Sequence, residues 1–300
     1  MKVRVATRAS RLSLIQAEIA LNAIKSIYPN LEFEIVTVKT KGDVLGDKPL
    51  HEIGGVGIFE KEVNVAVLRG DADMAVHSLK DIPGSMSEEL EIVYTPPRGP
   101  VHDVLVHKSD VPIPPEELPE GSVVGTSSYR RKAQLRLVHS GLKIVDIRGN
   151  VDTRIRKLLE GPYDAIVVAE AGIERLNIKL KYYRLPLVPF TPPPGQGIIA
   201  VVALRDSLIA KMLSGKSDPV TWAMMRAERS FVEELKAGCK MAVGGITLNR
   251  GGELEFIASA VSLNGSKGFW VRLRGNLEEP EKLGMEAAEI VKAKLDEVLR

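Results

Sequence analysis

The chain has 300 residues, of which 44% are hydrophobic and 27% charged, and its formal net charge is +2. A nearly balanced charge argues against a surface built to bind nucleic acid or a membrane, and this length predicts two or three domains. The sequence contains no apolar run approaching the roughly 20 residues of a membrane helix and no signal-peptide segment. Its single cysteine cannot form an internal disulfide, so we expect a cytoplasmic protein.

Short runs rich in valine and isoleucine alternate with segments of helical apolar spacing over the first half of the chain. The predicted strands are residues 2–6, 33–38, 74–77, 104–107, 122–125, 143–147 and 164–169. The predicted helices between them are residues 12–27, 58–68, 133–138 and 151–159. This alternation favours an α/β fold with mainly parallel sheets.

The domain boundaries are indicated by two proline-rich segments, residues 96–100 and 192–195, which predict a paired crossover between two domains. A strand at 198–204 then returns to the first domain. From residue 218 a long helix (220–236), antiparallel strands (242–249, 253–262 and 268–274) and a final helix from about residue 280 predict a separate α+β unit. We expect three domains: residues 1–97 with 195–215, residues 101–190, and residues 218–300.

A faint internal repeat links the first two domains. Residues 5–11 and 124–130 both have the pattern of a strand, a small residue, a threonine, a polar turn and a helix. Residues 73–76 also match residues 164–167. Two similar lobes that face one another would form a cleft, which is a common place for a ligand.

Three predicted strand-to-helix junctions carry arginines beside good N-cap residues. They contain Arg8 with Ser10, Arg130 and Arg131 after Thr126, Ser127 and Ser128, and Arg148 and Arg154 around Gly149 and Asn150. A cation at a helix N-terminus is unfavourable by about 0.3–1 kcal/mol, unless an anion is bound there. The pattern therefore favours a ligand with many carboxylates or phosphates, with salt-bridged surface arginines as the alternative. Nucleic acid fits less well, because aromatic residues make up only 5% of the chain.

Two further segments carry reactive side chains. Lys80 and Asp81 follow a predicted strand, where one could bind an anion and the other transfer a proton, although a loop salt bridge is the alternative. Cys239 lies between Lys236 and Lys240, whose charges favour the thiolate, although a lone cysteine also serves as a small apolar residue. The glycine-rich residues 39–58 fit a mobile lid. The five histidines show no metal spacing, so no metal is expected.

Taken together, these motifs resemble the porphobilinogen deaminase family along nearly the whole chain. The matching motifs are residues 6–10, 75–83, 125–131, 148–150 with 153–154, 195–197 and 238–239. The resemblance implies two lobes similar to type II periplasmic binding proteins, with mixed, mainly parallel sheets, and a small C-terminal α+β domain. It implies a transferase that condenses four porphobilinogen units head to tail, with loss of ammonia, into hydroxymethylbilane for tetrapyrrole biosynthesis. It also implies a dipyrromethane cofactor joined to Cys239 by a thioether, a monomer, and transfer of the product to uroporphyrinogen-III synthase.

The resemblance also assigns the site residues, with Asp81 as the catalytic acid and base and Cys239 as the attachment point. Its carboxylate-binding residues are Lys80, Arg8, Ser10, Ser78, Thr126, Ser127, Ser128, Arg130, Arg131, Arg148, Gly149, Asn150, Arg154, Arg175 and Gln196. Its lid residues are Gly54, Gly55, Gly57 and Phe59.

The chain departs from the family pattern at four places. Val56 stands where the family has a lid lysine, and His102 stands where it has an arginine. A glutamate that is common in the family is replaced near Val202, and residues 240–242 differ from the segment that usually follows the cysteine. The competing class is a non-catalytic binding protein of the same two-lobed fold, which would need neither Cys239 nor a third domain.

Overall fold

The structure, a computed structural model, describes residues 1–38, 58–109, 111–235 and 242–299. The predicted lid glycines Gly54, Gly55 and Gly57 and the predicted attachment residue Cys239 therefore lie outside the described residues. Contacts within the chain define two compact units. The first unit is Met1–Gly99 with Gly197–Met225, and the second is Pro100–Gln196 with Arg226–Arg300.

The described residues contain every helix and strand that the sequence predicts, with ends displaced by no more than about four residues. The strands are β1 (Lys2–Arg8), β2 (Glu32–Val38), β3 (Met74–Ser78), β4 (Leu90–Tyr94), β5 (Asp103–His107), β6 (Val123–Gly125), β7 (Lys143–Val145), β8 (Ala165–Ala169), β9 (Tyr182–Arg184), β10 (Ile199–Leu204), β11 (Ala242–Arg250), β12 (Glu253–Val261) and β13 (Gly268–Gly275). The α-helices are α1 (Arg11–Ile27), α2 (Ile58–Leu68), α3 (Tyr129–Val138), α4 (Val151–Glu160), α5 (Glu170–Arg175), α6 (Leu208–Leu213), α7 (Pro219–Leu235) and α8 (Pro280–Leu299). β4, β9, α5 and α6 were not predicted from the sequence.

The first unit is built on a five-stranded sheet with the order β2-β1-β3-β10-β4. β1 is parallel to β2 and β3, whereas β10 is antiparallel to β3 and β4. Helix α1 packs Ala17, Ala20 and Ile24 on one face of this sheet, and α2 packs Val63 and Val67 on the other. The central strands are covered on both faces, which explains their continuous apolar sequences.

The second unit contains a sheet of the same design, with the order β7-β6-β8-β5-β9. β6 is parallel to β7 and β8, and β5 is antiparallel to β8 and β9. β5 follows the first proline-rich crossover and β10 follows the second. Each of these two strands runs antiparallel to both of its neighbours in the sheet. The prediction of mixed, mainly parallel sheets in two similar lobes is therefore confirmed.

The internal repeat extends to individual hydrogen bonds. Asp73 precedes β3, and its carboxylate accepts a hydrogen bond from the backbone amide of Arg4 at 2.7 Å. Asp164 precedes β8, and its carboxylate accepts the same bond from the amide of Val123 at 2.7 Å. Both aspartates lie in the segments that the sequence analysis matched. The weak sequence repeat thus corresponds to equivalent positions in the two lobes.

The C-terminal part of the second unit is an antiparallel sheet of β11, β12 and β13, packed against α8. The rings of Phe231 on α7 and Phe256 on β12 lie 5.1 Å apart in its core. This is the predicted α+β arrangement. The third domain predicted at residues 218–300 corresponds to this α+β part, and contacts group its residues 226–300 with the second lobe. Within the described ranges, no helix is long and apolar enough to cross a membrane.

Candidate active site

A small pocket lies in the first unit, at the carboxyl ends of β1 and β3. It is lined by Arg8, Ser13, Gln16, Val76, His77, Ser78 and Asp81. Ser10 caps α1 as predicted, because its Oγ accepts a hydrogen bond from the Ser13 amide at 3.2 Å. Lys80 and Asp81 lie in a single 3₁₀ turn directly after β3, and both are exposed. The pocket thus brings together Arg8, Ser78 and Asp81, three of the residues that the sequence analysis assigned to the site.

Three polar residues of the pocket were missed by the sequence analysis: Ser13, Gln16 and His77. Gln16 lies on the buried face of α1, and its Nε2 donates a hydrogen bond to Ser78 Oγ at 2.8 Å. A signal for Gln16 was present in the sequence, because an amide that falls on the apolar stripe of a helix needs a buried partner. In the structure that partner is a predicted site residue.

His77 forms the buried wall of the pocket. Its Nε2 lies 2.8 Å from Oδ1 of Asn64 on α2, so a proton on Nε2 is donated to that oxygen. Burial lowers the pKa of His77 to about 4, and the charge of Arg8 acts in the same direction. The imidazole is therefore neutral near pH 7, which leaves Arg8 as a cation beside an uncharged ring.

This burial predicts a pH dependence of stability. A histidine whose pKa is depressed in the folded state binds its proton only in the unfolded state between pH 6.5 and about 4, so stability falls as the pH falls through that window. We expect His77→Gln to remove about 3 kcal/mol of this loss at pH 4. Denaturant unfolding of both proteins between pH 4 and 7 measures the difference. The prediction would be contradicted if the free energy of unfolding of the two proteins changed equally between pH 7 and pH 4.

In the second unit, the junction before α3 is tied to the junction before α4. The hydroxyl of Ser127 donates a hydrogen bond to the Ile147 carbonyl at 2.9 Å and accepts one from the Ile147 amide at 3.1 Å. Ser128 caps α3 by accepting a hydrogen bond from the Arg131 amide at 3.4 Å. Ser127 therefore holds residue 147, and with it the start of the Arg148 junction, beside the first turn of α3.

The Arg148 junction has a backbone conformation that favours glycine. Gly149 has φ +108°, and a Cβ at this position would lie 2.7 Å from the Thr153 side chain. The Nε of Arg154 donates a hydrogen bond to the Gly149 carbonyl at 2.8 Å. Asn150 occupies the N-cap position of α4 without a side-chain capping bond. Arg148, the first residue of this junction, is half-buried.

Arg130 and Arg131 have a partner that the sequence analysis did not foresee. Both side chains are buried and bind the carboxylate of Asp103, with Arg130 Nη2 at 2.8 Å and Arg131 Nη2 at 2.6 Å from its two oxygens. Of the two alternatives, a ligand anion and a salt bridge within the chain, the structure shows a salt bridge, although a buried one, because Asp103 supplies the negative charge. Burial alone would raise the pKa of Asp103, but Arg131 and Arg130 together hold it well below its usual range. A contact of either arginine with a ligand carboxylate stays a prediction.

The remaining predicted residues of this unit have mixed environments. Gln196 donates from Nε2 to Asp103 Oδ1 at 3.0 Å and to the Val101 carbonyl at 2.8 Å, so it belongs to the same buried cluster. Burial lowers the pKa of Arg175 to about 10, so its guanidinium stays charged at neutral pH. His102, which replaces the family's arginine, places Nδ1 2.8 Å from the Leu185 carbonyl. The described residues hold no group of three or more His, Cys, Asp or Glu side chains suited to a metal ion.

Two lobes with sheets of equivalent topology, a carboxyl group at the end of a central strand and an attached α+β unit define a two-lobed α/β protein. The family model described as "Porphobilinogen deaminase, dipyromethane cofactor binding domain" matches residues 3–211, and "Porphobilinogen deaminase, C-terminal domain" matches residues 222–293. The chain belongs to the porphobilinogen deaminase family, whose members are transferases.

Similar proteins extend over almost the full length. A probable porphobilinogen deaminase of Hyperthermus butylicus is 50% identical over 289 residues, covering 96% of this chain and 95% of its own. A second from Pyrobaculum islandicum is 47% identical over 298 residues, covering 97% and 96%. Among solved structures, the VFT2 domain of Bordetella pertussis BvgS is 18% identical, with a TM-score of 0.43, and the match covers 72% of this chain and 85% of that one.

Proposed function

We propose that this chain joins four porphobilinogen units head to tail into hydroxymethylbilane, releasing one ammonia for each unit. The observation that carries the proposal is the pocket of the first unit, which combines Asp81 and Arg8 in a chain that family models match over both of its parts. A test is to incubate the purified protein with porphobilinogen and to measure ammonia and linear tetrapyrrole together. Four ammonia per tetrapyrrole is the expected ratio, and absence of ammonia release would refute the proposal.

Asp81 is the proposed proton-transfer group. Porphobilinogen carries an aminomethyl group, and loss of ammonia from it breaks a C–N bond and leaves a cation delocalised onto the pyrrole nitrogen. A carboxyl group beside the ring can donate a proton to the leaving amine and then, as a carboxylate, stabilise this cation. The exposed position of Asp81 at a pocket wall is consistent with direct contact with the substrate.

Arg8 is the proposed partner of a substrate carboxylate. Each substrate pyrrole carries an acetate and a propionate, and a guanidinium binds such groups with two parallel hydrogen bonds. Arg8 lies at the end of β1, in the same pocket as Asp81. The hydrogen bond from Gln16 fixes the orientation of Ser78, whose hydroxyl we assign to the same set of ligand contacts.

The second unit fits the dipyrromethane cofactor, because this group has four carboxylates and the unit concentrates cationic side chains at two linked junctions. We assign Arg148, Arg154, Arg175 and the Thr126–Ser128 segment to these carboxylates. When bound, the cofactor supplies the pyrrole carbon at which the first substrate is joined. Lys80 and Ser10 remain assigned to carboxylates of the substrate.

We propose that the cofactor is attached to Cys239 through a thioether. The first part of the chain matches a family model described as a dipyromethane cofactor binding domain. Cys239 is the single cysteine of the sequence, and the charges of Lys236 and Lys240 beside it favour the reactive thiolate. These two observations support a thioether at Cys239.

Arg131 and Arg148, which the sequence analysis treated alike, have different surroundings, because Arg131 binds Asp103 and Arg148 is half-buried. Arg131→Lys removes bonds to a buried carboxylate and should lower the free energy of unfolding by about 1–3 kcal/mol. Arg148→Lys should leave stability within about 0.5 kcal/mol but lower the fraction of the protein that carries the cofactor, because a charge-assisted fork to a cofactor carboxylate is lost. Denaturant unfolding and intact-mass spectrometry measure the two effects. Equal stability of the two variants would show that the Asp103 cluster does not distinguish them.

We also propose that the protein acts as a cytoplasmic monomer and passes its product to uroporphyrinogen-III synthase. The product is an open chain with a terminal hydroxymethyl group, so an enzyme that closes the ring is the natural next step. Light scattering coupled to gel filtration tests the monomer. A mass of twice the chain at working concentration would refute it.

A further inference from the structure

The two lobes can be compared position by position. Ser10 and Ser128 cap α1 and α3, and each accepts a hydrogen bond from the amide three residues later. Ser13 of the first lobe therefore corresponds to Arg131 of the second. Gln16 and Gln134, both buried, are equivalent in the same way, six residues after each cap.

The strand registers extend this equivalence across the sheets. Ala6 pairs with Ala75 and Gly125 with Ile166, so Val76 corresponds to Val167 and Ser78 to Ala169. Ile199 pairs with Ser78, and Asp103 pairs with Ala169. Asp103 of the second lobe thus takes the place that Ile199 has in the first.

At these equivalent positions the two lobes differ in a systematic way. In the first lobe Ser13, Gln16 and Val76 line an open pocket. In the second, the Arg131 side chain extends through the equivalent place, donating from Nη1 to the Val167 carbonyl at 3.1 Å and from Nε and Nη2 to Asp103 at 3.1 and 2.6 Å. The ion pair of Arg131 and Asp103 therefore occupies the place in the second lobe that is a pocket in the first lobe.

The cluster has the composition of an occupied carboxylate site. Asp103 is 1% exposed and accepts four hydrogen bonds, from Arg130, twice from Arg131, and from Gln196. Arg130 is itself held by Gln134 Oε1 at 2.9 Å and by the Thr191 carbonyl at 2.8 Å. Two guanidiniums around one carboxylate leave a positive excess. The arrangement is what a protein offers to a bound carboxylate ligand, except that the carboxylate belongs to the chain.

We propose that Asp103 is a built-in carboxylate that occupies a latent carboxylate-binding site of the second lobe, and that it is the positioning residue for Arg130 and Arg131. The inference goes beyond the proposed function and is independent of it. Removal of the side chain should leave a cavity lined by two guanidiniums. Formate or acetate has the size and charge to enter it in place of the lost group.

The test compares Asp103→Ala in sodium formate and in sodium chloride of equal ionic strength. Asp103→Ala should have a lower thermal midpoint than the wild type, and formate at about 100 times its dissociation constant should raise it by roughly 5–10 °C. Asp103→Asn is the control that fills the space, so formate should not raise its midpoint. Glu170→Ala is the matched control, because it removes a buried carboxylate whose partner Arg184 is largely exposed and needs no replacement anion.

Several outcomes would overturn the proposal. They are an equal midpoint of Asp103→Ala in both salts, an equal formate effect on Asp103→Asn, or an equal effect on Glu170→Ala. If Asp103→Ala does not fold during expression, refolding from denaturant in formate and in chloride replaces the melting experiment. Recovery only in formate supports the proposal, whereas equal recovery, or recovery in neither, contradicts it. These readouts need neither substrate nor cofactor, so their failure leaves the proposed function intact.

Discussion

Cys239→Ser is expected to fold normally and to lose turnover completely. A thioether requires the sulfur, and a serine hydroxyl cannot replace a thiolate that nearby lysines favour. The intact mass of the wild-type protein should exceed that of its polypeptide by two pyrrole units, whereas Cys239→Ser should have the bare polypeptide mass. Electrospray mass spectrometry and an initial-rate assay measure both effects.

Two controls accompany the cysteine substitution. The wild-type thiol should resist alkylation even after unfolding, because its sulfur is already bonded. Ala237→Ser introduces the same hydroxyl two residues away and should retain both the added mass and the activity. A bare polypeptide mass in fully active wild-type protein would eliminate the covalent cofactor.

Asp81→Asn is expected to lower the rate of turnover by about 10²–10⁴-fold, which is the usual contribution of general acid–base assistance. The amide preserves the shape of the side chain but can neither donate the carboxyl proton nor stabilise a cation with full charge. Because Asp81 is exposed, the thermal midpoint should change little. Steady-state kinetics and thermal melting of the same preparation measure the two effects.

Asp71→Asn is the matched control for this substitution, because Asp71 is also exposed and lies in the same unit just before β3. It should keep wild-type turnover. Turnover near the wild-type level in Asp81→Asn would instead assign Asp81 to a loop ion pair with Lys80. The proton-transfer role would then have to be carried by another group.

The sequence was sufficient to predict the lobes, because their signals are local. Apolar periodicity defines α1 and β3, and the serines at positions 10 and 128 both cap helices as expected. The missed strand β9 is three residues long like β6 and β7, but its sequence Tyr-Tyr-Arg lacks the valine and isoleucine that marked those two strands. The missed strand β4 lies at the edge of its sheet, where its burial alternates imperfectly.

The partner of the buried arginines could not be predicted in the same way. Asp103 is separated from Arg130 and Arg131 by 27 and 28 residues, and no local pattern links them. Two cations at a helix N-terminus are a conflict that needs an anion, and this much follows from the sequence. Whether the anion is a ligand or another part of the chain depends on the register of β5 against β8, which no local pattern reveals.

The place of β10 in the first sheet has a consequence for the order of folding. β10 lies between β3 and β4 but follows β4 by about a hundred residues of chain, whereas all five strands of the second sheet lie within residues 103–184. During synthesis the N-terminal domain usually folds first. Here the second sheet can close as soon as residue 184 is available, while the first must wait for residue 204. The sheet of the lobe that carries Asp81 is therefore begun first but closed after the sheet of the second lobe, and until then the open edges of β3 and β4 are exposed to wrong pairing.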